Sequence, residues 1–266
     1  MERNILITIE YDGSAYSGWQ IQPNVPTVQG EVQNALRRVL GRDIKINGTS
    51  RTDAGVHALG QRASFHLEPG IPTERIAFAL NNALPGDIRI VSAEEKEADS
   101  HARFSAKGKK YIYRMKHHVS AFESRYFYGV EEGLDMDAVH EAAKIIEGTH
   151  DFKCFEAAGA DPKDSTVRTI WSLTMDRVRE DDAVCGGADR SAGYDLVVMG
   201  DGFLYNMVRI ITGTLVDVGR GRIGAGDIYE MLEKKDRTLA GHTAPPEGLY
   251  LAEVFYGEDD QWKTHV

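Results

Sequence analysis

The sequence has few cysteines and no long apolar run, and each of these absences excludes a class of protein. Its two cysteines, Cys154 and Cys185, do not form a CxxC pair, so neither a disulfide scaffold nor a structural zinc site is expected. No apolar stretch approaches the roughly 20 residues that a membrane helix needs, and the first four residues do not open a signal peptide. The sequence therefore predicts a cytoplasmic protein without a membrane segment.

The motifs that usually hold a catalytic metal or a cofactor are also missing. The nine histidines are scattered without HExxH or a comparable ligand spacing, and the sequence contains no P-loop and no GxGxxG fingerprint. We therefore expect neither a metal ion nor a cofactor.

Positive charge is in deficit, because 31 Lys and Arg face 41 Asp and Glu, which gives a net charge of −10. Net charge governs solubility and long-range steering, whereas a local basic patch can still hold phosphates. Each basic group is therefore either a nucleic-acid contact or an ordinary solvated surface. The groups are Lys107, Lys109, Lys110, Arg114 and Lys116; Arg37, Arg38 and Arg42; and Arg220 with Arg222.

The hydrophobic patterns of residues 1–104 predict the first half of an α+β fold. Ile5, Ile7 and Ile9 alternate with other side chains as in a strand, and Thr27 is a plausible N-cap of the helix that follows. The remaining elements are predicted as a strand around Ile44 and Ile46, a strand over Ala63–Leu67, a helix at about Thr73–Ala83 and a strand at Ile88–Val91. This β-α-β-β-α-β order is the ferredoxin-like arrangement.

Residues 105–266 are predicted to repeat that order as a second half, with an insert at about 219–248. The predicted elements are a strand at Lys109–His117, a helix capped by Asp135, strands near Thr169–Val178 and Tyr194–Met199, a helix at about Phe203–Val218 and a last strand at Leu249–Phe255. Two such halves predict an extended, mostly antiparallel sheet flanked by helices, with an active-site cleft between the halves. Because many unrelated functions share this architecture, the fold does not decide the function.

The segment from Gly48 to Ala58 carries the most specific chemical signal. It places Asp53 between an arginine and a glycine turn, in a predicted loop between two strands. Asp53 is either a cap of this turn or a nucleophile. A free aspartate has a pKa of about 3.9 and is already charged at neutral pH. A nearby arginine would keep it ionised and oriented.

The segment Arg51-Thr52-Asp53-Ala54-Gly55-Val56-His57-Ala58 resembles the signature of the TruA-type tRNA pseudouridine synthases. The resemblance extends along nearly the whole chain through further segments in matching order and spacing. These are Tyr11-Asp12-Gly13, Gly18-Trp19-Gln20, Thr27-Val28-Gln29-Gly30, Ala106-Lys107-Gly108-Lys109-Lys110-Tyr111-Ile112-Tyr113-Arg114, Gly148-Thr149-His150-Asp151-Phe152, Gly202-Phe203-Leu204-Tyr205-Asn206-Met207-Val208-Arg209 and Ala244-Pro245-Pro246-Glu247-Gly248-Leu249-Tyr250-Leu251.

This resemblance implies isomerisation of uridine to pseudouridine in the anticodon arm of tRNA, at positions 38–40, without cofactor or metal. It implies that Asp53 is the nucleophile on a flipped-out uridine and that Arg209 orients it, although Arg209 is otherwise a surface charge on a helix. The residues do not decide whether Asp53 attacks C6 of the base, attacks C1′ of the sugar, or assists elimination at C2′.

The resemblance also implies residues that hold the substrate. Tyr111 would stack on the flipped uracil and act as a catalytic residue whose hydroxyl helps to remove the C5 proton. Leu249 would pack against the base, although both residue types are equally suited to core packing. Arg51 would take part in flipping the nucleotide, or form an ion pair at the base of the loop. Phosphate contacts are expected from three lysines of one basic group, namely Lys107, Lys109 and Lys110.

The family resemblance implies a homodimer, since one protomer is shorter than a tRNA. Two other function classes stay open at this stage. One is an RNA-binding module without chemistry, against which the intact Asp53, Tyr111 and Arg209 argue. The other is a hydrolase that pairs Asp53 with His57, for which the sequence shows no oxyanion elbow and no third catalytic member.

Overall fold

A computed structural model describes residues 2–160, 164–178 and 193–257 of the chain. The described strands are β1 (Arg3–Tyr11), β2 (Asn47–Gly48), β3 (His57–Leu67), β4 (Ile88–Lys96), β5 (Gly108–Lys116), β6 (Tyr128–Gly129), β7 (Gly148–Asp151), β8 (Val167–Val178), β9 (Gly193–Gly200) and β10 (Leu249–Phe255). The α-helices are α1 (Val28–Leu40), α2 (Thr73–Asn81), α3 (Met136–Ile146), α4 (Met207–Gly219) and α5 (Asp227–Lys234). The predicted α+β class is confirmed.

The described residues fall into two compact units. Unit 1 comprises residues 2–109 and 250–257, and unit 2 comprises the described residues between 110 and 249. The boundary lies at 109/110, whereas the sequence predicted it at 104/105. Residues 250–257 also belong to unit 1 instead of to the second half, because Tyr250 and Leu251 of β10 pair in parallel with His57 and Ala58 of β3. The description of the chain as two ferredoxin-like halves stays a prediction.

Unit 1 is built around a sheet in which β1 pairs antiparallel with both β3 and β4. β2 pairs antiparallel with β3 on the side away from β1. The isoleucines Ile5, Ile7 and Ile9 of β1 are fully buried, as their alternation predicted. Burial of such side chains contributes about 1.5–3 kcal/mol each.

Helix α1 has the boundaries that its end residues predict. The Thr27 hydroxyl accepts a hydrogen bond from the Gly30 amide at 3.3 Å, and Gly41 ends the helix in the left-handed conformation with φ 71°. Val32 and Leu36 lie on its buried face. Helix α2 follows Pro72, which provides no side-chain cap.

Unit 2 contains the strand order β5-β9-β8-β7, in which β8 pairs antiparallel with β7 and β9. Helix α3 begins after Asp135, whose carboxylate accepts a hydrogen bond from the Ala138 amide at 3.1 Å. Helix α4 is buried along almost its whole length. Such a helix has no solvent-facing stripe, as expected for a helix in the middle of a core.

One predicted strand is missing from the structure, and one predicted helix begins later than expected. The strand expected around Ile44 and Ile46 is absent there, and the paired residues are Asn47 and Gly48. Both isoleucines are nevertheless buried, so the alternation reflects burial without strand pairing. The helix expected from Phe203 begins at Met207, because Asn206 adopts the left-handed conformation with φ 58° and interrupts any earlier turn. The predicted loop at 180–193 lies, apart from its last residue, outside the described residues.

Candidate functional site

The loop that carries Asp53 is held by backbone contacts within unit 1. The Trp19 amide donates to the carbonyl oxygen of Thr52 at 3.1 Å, and the Gly55 amide donates to that of Tyr16 at 3.4 Å. The Val56 amide donates to the Asp53 carbonyl at 3.2 Å and closes a turn. The Asp53 side chain is half-buried. A carboxylate on a loop bonded on both sides is held in a defined position.

A glycine lets the neighbouring chain approach this loop closely. Gly18 has φ +90°, and a Cβ atom placed on it would lie 2.5 Å from the carbonyl oxygen of Thr52. The Thr52 side chain is also engaged, since its hydroxyl lies 2.8 Å from that of Tyr11. No residue other than glycine fits at position 18 without displacing the residue that precedes Asp53.

Gln61 of β3 supports the segment that leads into the loop, and the sequence interpretation did not identify it. Its amide nitrogen donates to the carbonyl oxygen of Ser50 at 2.8 Å, and its amide oxygen accepts from the Ser50 amide at 3.3 Å. The side chain is completely buried. The alternation of side chains in β3 could have identified it. Gln61 is two residues before Ala63 and four before Phe65, so it lies on the same inward face of the strand. A polar residue at a core position of a strand needs a specific hydrogen-bond partner.

His57 has a structural position in unit 1. Its Nδ1 atom accepts a hydrogen bond from the Gly13 amide at 3.1 Å, and its ring stacks on Tyr250 with 4.7 Å between centroids. The side chain is only 2% exposed. The same Nδ1 atom lies 3.3 Å from Oδ1 of Asp12. A buried imidazole that is engaged by Gly13, Asp12 and Tyr250 is a weak candidate for the acid–base partner that the hydrolase hypothesis requires.

The predicted cationic contacts of the RNA are distributed over both units. Arg51, two residues before Asp53, and Lys107 are exposed in unit 1. Lys109 and Lys110 are half-buried in β5 and lie on either side of the unit boundary.

Tyr111 lies on the buried face of β5 in unit 2. It shares this face with Tyr113 and Met115, as the alternation predicted, and it is 7% exposed. Its ring meets that of Phe203 edge to face, with 5.1 Å between centroids. Phe203 thus has a role in orienting the predicted substrate-stacking tyrosine, which the sequence interpretation did not assign.

Arg209 lies in the first turn of α4, and its guanidinium is held by two oriented hydrogen bonds. Its Nε atom donates to the carbonyl oxygen of Ala244 at 2.7 Å, and its Nη1 atom donates to Oδ1 of Asn206 at 2.8 Å. In return, the Ala244 amide donates to the carbonyl oxygen of Arg209 at 3.1 Å. The half-buried side chain is therefore more constrained than an ordinary surface arginine.

The segment before Leu249 is fixed within unit 2 by further contacts. The Tyr113 hydroxyl donates to the carbonyl oxygen of Pro245 at 2.6 Å, and burial raises the pKa of Tyr113 well above its ordinary value. A Cβ atom on Gly213 of α4 would lie 1.9 Å from the carbonyl oxygen of His242. Leu249, at the end of this segment, is buried.

The Asp217 carboxylate and the His242 imidazole are hydrogen-bonded next to that segment. The Nδ1 atom of His242 lies 2.9 Å from Oδ2 of Asp217 and its Nε2 atom lies 3.2 Å from the Tyr128 hydroxyl. Burial raises the pKa of the Asp217 carboxyl, but the hydrogen bonds and the charge of its neighbours outweigh this, so that the pKa lies below its ordinary value.

The basic group Arg220 and Arg222 is compensated by carboxylates. Arg222 lies 3.3 Å from Asp217, and Arg220 contacts Asp217 and binds both oxygens of Glu131. The hydrogen bond from Arg220 lowers the pKa of Glu131 to about 2. This group is therefore part of an ion-pair cluster within unit 2.

The structure places the predicted site residues in two sets. Arg51 and Asp53 share one loop of unit 1, whereas Tyr111, Arg209 and Leu249 belong to unit 2.

In the described ranges, no group of three or more His, Cys, Asp or Glu is arranged as a metal site would require. None of the helices described is long and apolar enough to cross a bilayer.

Comparison with known proteins identifies a family match and close relatives. A family model described as tRNA pseudouridine synthase matches residues 7–105 and 142–257. The chain is 45% identical over 256 residues to tRNA pseudouridine synthase A of Acetivibrio thermocellus, covering 96% of this chain and 100% of that protein. It is 43% identical over 256 residues, with the same coverage, to tRNA pseudouridine synthase A of Thermoanaerobacter sp..

Proposed function

The chain belongs to the tRNA pseudouridine synthase family, and from this premise we propose how its residues carry out the reaction. Enzymes of this family are isomerases that convert uridine in tRNA to pseudouridine. We propose that this chain acts on the anticodon arm at positions 38–40, with Asp53 as the nucleophile, as a homodimer in the cytoplasm.

The reaction exchanges one bond of the uridine for another without net gain or loss of atoms. The bond between N1 of uracil and C1′ of ribose breaks, the base turns, and a bond between C5 and C1′ forms. C5 loses a proton to solvent, while N1 gains one. No oxidant, reductant or external group is needed, so amino-acid side chains suffice for the chemistry.

The observation that carries the proposal is the way in which the Asp53 loop is supported. Trp19 and Gln61 bond the backbone before Asp53, at Thr52 and at Ser50, Gly55 bonds Tyr16 after it, and Gly18 allows the close approach. A nucleophile must be held near its target, because a misplacement of about 1 Å can cost about 10²-fold in rate. The network around Asp53 supplies that restraint, and it exceeds what a simple turn cap requires.

We place Tyr111, Arg209 and Leu249 of unit 2 around the same flipped uracil. The edge-to-face contact with Phe203 and the two hydrogen bonds of Arg209 support this assignment, because both side chains are held in fixed orientations. A stacked aromatic ring contributes about 1–3 kcal/mol per base, which offsets much of the cost of flipping. Attack at C6, attack at C1′ and elimination at C2′ remain the three routes open to Asp53.

Arg51 and the three lysines would bind the RNA around that base. Exposed Arg51 is two residues from Asp53, where a guanidinium can occupy the space vacated by the flipped base and bond a phosphate. Lys107, Lys109 and Lys110 would contact phosphates and position the stem without reading its sequence.

The test is the release of tritium from a tRNA transcript labelled at C5 of uridine, followed for wild type, Asp53→Asn and Asp43→Asn. Asp43 is an exposed aspartate of unit 1, 3.6 Å from Arg37, and serves as the matched control. We expect wild type and Asp43→Asn to release tritium at the same rate, and Asp53→Asn to release none while still binding the transcript.

Two outcomes would contradict the proposal. Release by Asp53→Asn at the wild-type rate would remove Asp53 from the chemistry. Binding of the transcript by wild type without any release would indicate an RNA-binding module instead of an enzyme.

A further inference from the structure

Phe104 is a large apolar side chain that unit 1 leaves in solvent. Its side chain is 78% exposed, although it follows Ala102, which is only 1% exposed. It lies in a tight turn of residues 101–105, between strands β4 and β5. Exposure of a whole phenyl ring to water is unfavourable for the isolated protein. An exposed ring of this kind indicates a surface that a binding partner covers.

The turn that presents Phe104 is rigid. The Nδ1 atom of His101 accepts hydrogen bonds from the amides of Arg103 at 3.0 Å and Phe104 at 3.4 Å. The Ser105 amide donates to the His101 carbonyl at 2.9 Å, and the His101 amide donates to the Ser105 hydroxyl at 3.0 Å. Four hydrogen bonds therefore hold the backbone so that the ring points outward, and little conformational entropy remains to be lost on binding.

The same turn is connected to the loop of Asp53 within unit 1. The hydroxyls of Thr49 and Tyr256 lie 2.8 Å and 2.7 Å from the carbonyl oxygen of Ala102. The Ala102 amide donates to the Ser64 hydroxyl at 3.1 Å. Since Thr49 precedes Asp53 by only four residues, the exposed ring has a fixed position relative to the start of the Asp53 loop.

Positive charge accompanies the exposed ring. The guanidinium of Arg103 lies 5.8 Å from the centre of the Phe104 ring, and the His101 ring lies 4.5 Å from it. Lys107 is exposed three residues further on. Within the part of the chain that the structure describes, neither Arg103 nor Lys107 has a carboxylate at ion-pair distance. In a chain of net charge −10, two cations without a carboxylate partner among the described residues, beside an exposed aromatic ring, are complementary to a polyanion that carries aromatic faces.

We propose that Phe104 is a stacking platform for an unpaired base of the tRNA other than the uridine at the Asp53 loop, with Arg103 and Lys107 contacting the adjacent phosphates. This inference rests on the proposed function for its substrate and adds a second point of contact. A single-stranded nucleotide supplies both chemistries that the turn presents, since its base stacks on the ring and its phosphate pairs with the cations. A second copy of the chain is the competing occupant of this surface.

The experiment measures the dissociation constant of the tRNA transcript, and kcat and KM for tritium release, for Phe104→Ala, Phe104→Trp and Phe104→Leu. We expect Phe104→Ala to weaken binding by about 5- to 150-fold, the loss typical of one stacked base. Phe104→Trp should restore binding, whereas Phe104→Leu, which keeps apolar bulk without a π face, should not. The change should appear in KM, with kcat nearly unchanged.

Phe122→Ala is the matched control, because the Phe122 ring is 92% exposed in a turn of unit 2. The next residue, Glu123, pairs with Lys116, so this ring stands beside a compensated cation. It should bind as wild type does. Arg103→Ala and Lys107→Ala should each reduce the slope of log affinity against log salt by about 0.7–0.9. Retained binding by Phe104→Trp shows that substitution at this position leaves the protein folded.

Three results would overturn the inference. The first is binding of the transcript by Phe104→Ala as tightly as by wild type, and the second is binding by Phe104→Leu as tightly as by Phe104→Trp. The third is a sedimentation result in which a wild-type dimer becomes a monomer in Phe104→Ala, which would assign the surface to a second copy of the chain. Failure of the proposed function is a separate result, namely a wild-type protein that releases no tritium.

Discussion

The substitution Gly18→Ala tests whether the close approach at Gly18 positions Asp53. Gly18 has φ +90°, and its added Cβ atom would lie 2.5 Å from the carbonyl oxygen of Thr52. Real Cβ contacts are not shorter than 3.0 Å, so one of the two segments must move by about 0.5 Å. Because Thr52 precedes Asp53 directly, this movement would be transmitted to the nucleophile.

The expected magnitudes follow from two separate costs. A left-handed conformation costs a residue other than glycine about 1–2 kcal/mol. Displacement of the Thr52 carbonyl also weakens its hydrogen bond from the Trp19 amide, which contributes about 1 kcal/mol. We therefore expect the free energy of unfolding to fall by about 2–3 kcal/mol. A shift of about half an ångström at Asp53 should lower kcat by about 10- to 100-fold.

Gly41→Ala provides the matched control. Gly41 also has a left-handed conformation, with φ +71°, but a Cβ atom added there has no heavy atom within 4 Å. It ends helix α1 and donates its amide to the carbonyl of Arg37. The control should lose about 1–2 kcal/mol of stability for the same backbone reason and keep the wild-type kcat.

The assay combines urea unfolding with tritium release at saturating transcript. The unfolding curve gives the folded fraction of each variant, and kcat is calculated for that fraction. The reasoning is refuted if Gly18→Ala and Gly41→Ala lose equal stability and both retain wild-type kcat. That result would mean that the contact between Gly18 and Thr52 relaxes without moving Asp53.

Two further predictions concern unit 2. Arg209→Lys keeps the positive charge but replaces the planar guanidinium by a single ammonium group. The lysine cannot reproduce both hydrogen bonds, to the Ala244 carbonyl and to the Asn206 side chain. Loss of one charged hydrogen bond, about 1.5–3 kcal/mol, should lower kcat/KM for tritium release by about 10- to 100-fold; an unchanged value would refute the orienting role. Asp217→Asn should destabilise the protein at pH 7, because it removes the carboxylate partner of His242. The folded-state pKa of Asp217 is lowered, so this stabilisation is present above the unfolded pKa of about 3.9 and is lost as the pH falls through the folded-state pKa. Urea unfolding at pH 7 and at pH 3.5 should show that the difference from wild type shrinks in acid, whereas a constant difference would contradict the lowered pKa of Asp217 in the folded state.

Much of the secondary structure could be predicted from local patterns. The alternation in β1 and the capping residues Thr27 and Gly41 of α1 determine their elements through contacts within a few residues. Such contacts are encoded by the side-chain periods of strands and helices and by the residue preferences of caps. The same is true of Asp135, which caps α3 as predicted.

The local patterns failed where distant residues decide the conformation. Ile44 and Ile46 alternate as in a strand, yet pairing with β3 occurs only at Asn47 and Gly48. The left-handed Asn206, whose side chain accepts from Arg209, shortens α4 at its beginning. A period of two or of 3.6 reports which side chains are buried, and it does not report which backbone groups find partners.

For the candidate site, the sequence by itself determined the family, the loop that carries Asp53 and the residue types that the chemistry needs. Only the tertiary structure showed that Gly18 and Gln61 hold that loop, and that Arg220 is matched by Glu131. The physical reason is that a motif is a run of neighbouring residues, which the sequence displays directly. The restraint on a nucleophile and the net charge of a surface depend on atoms that folding brings together from distant parts of the chain.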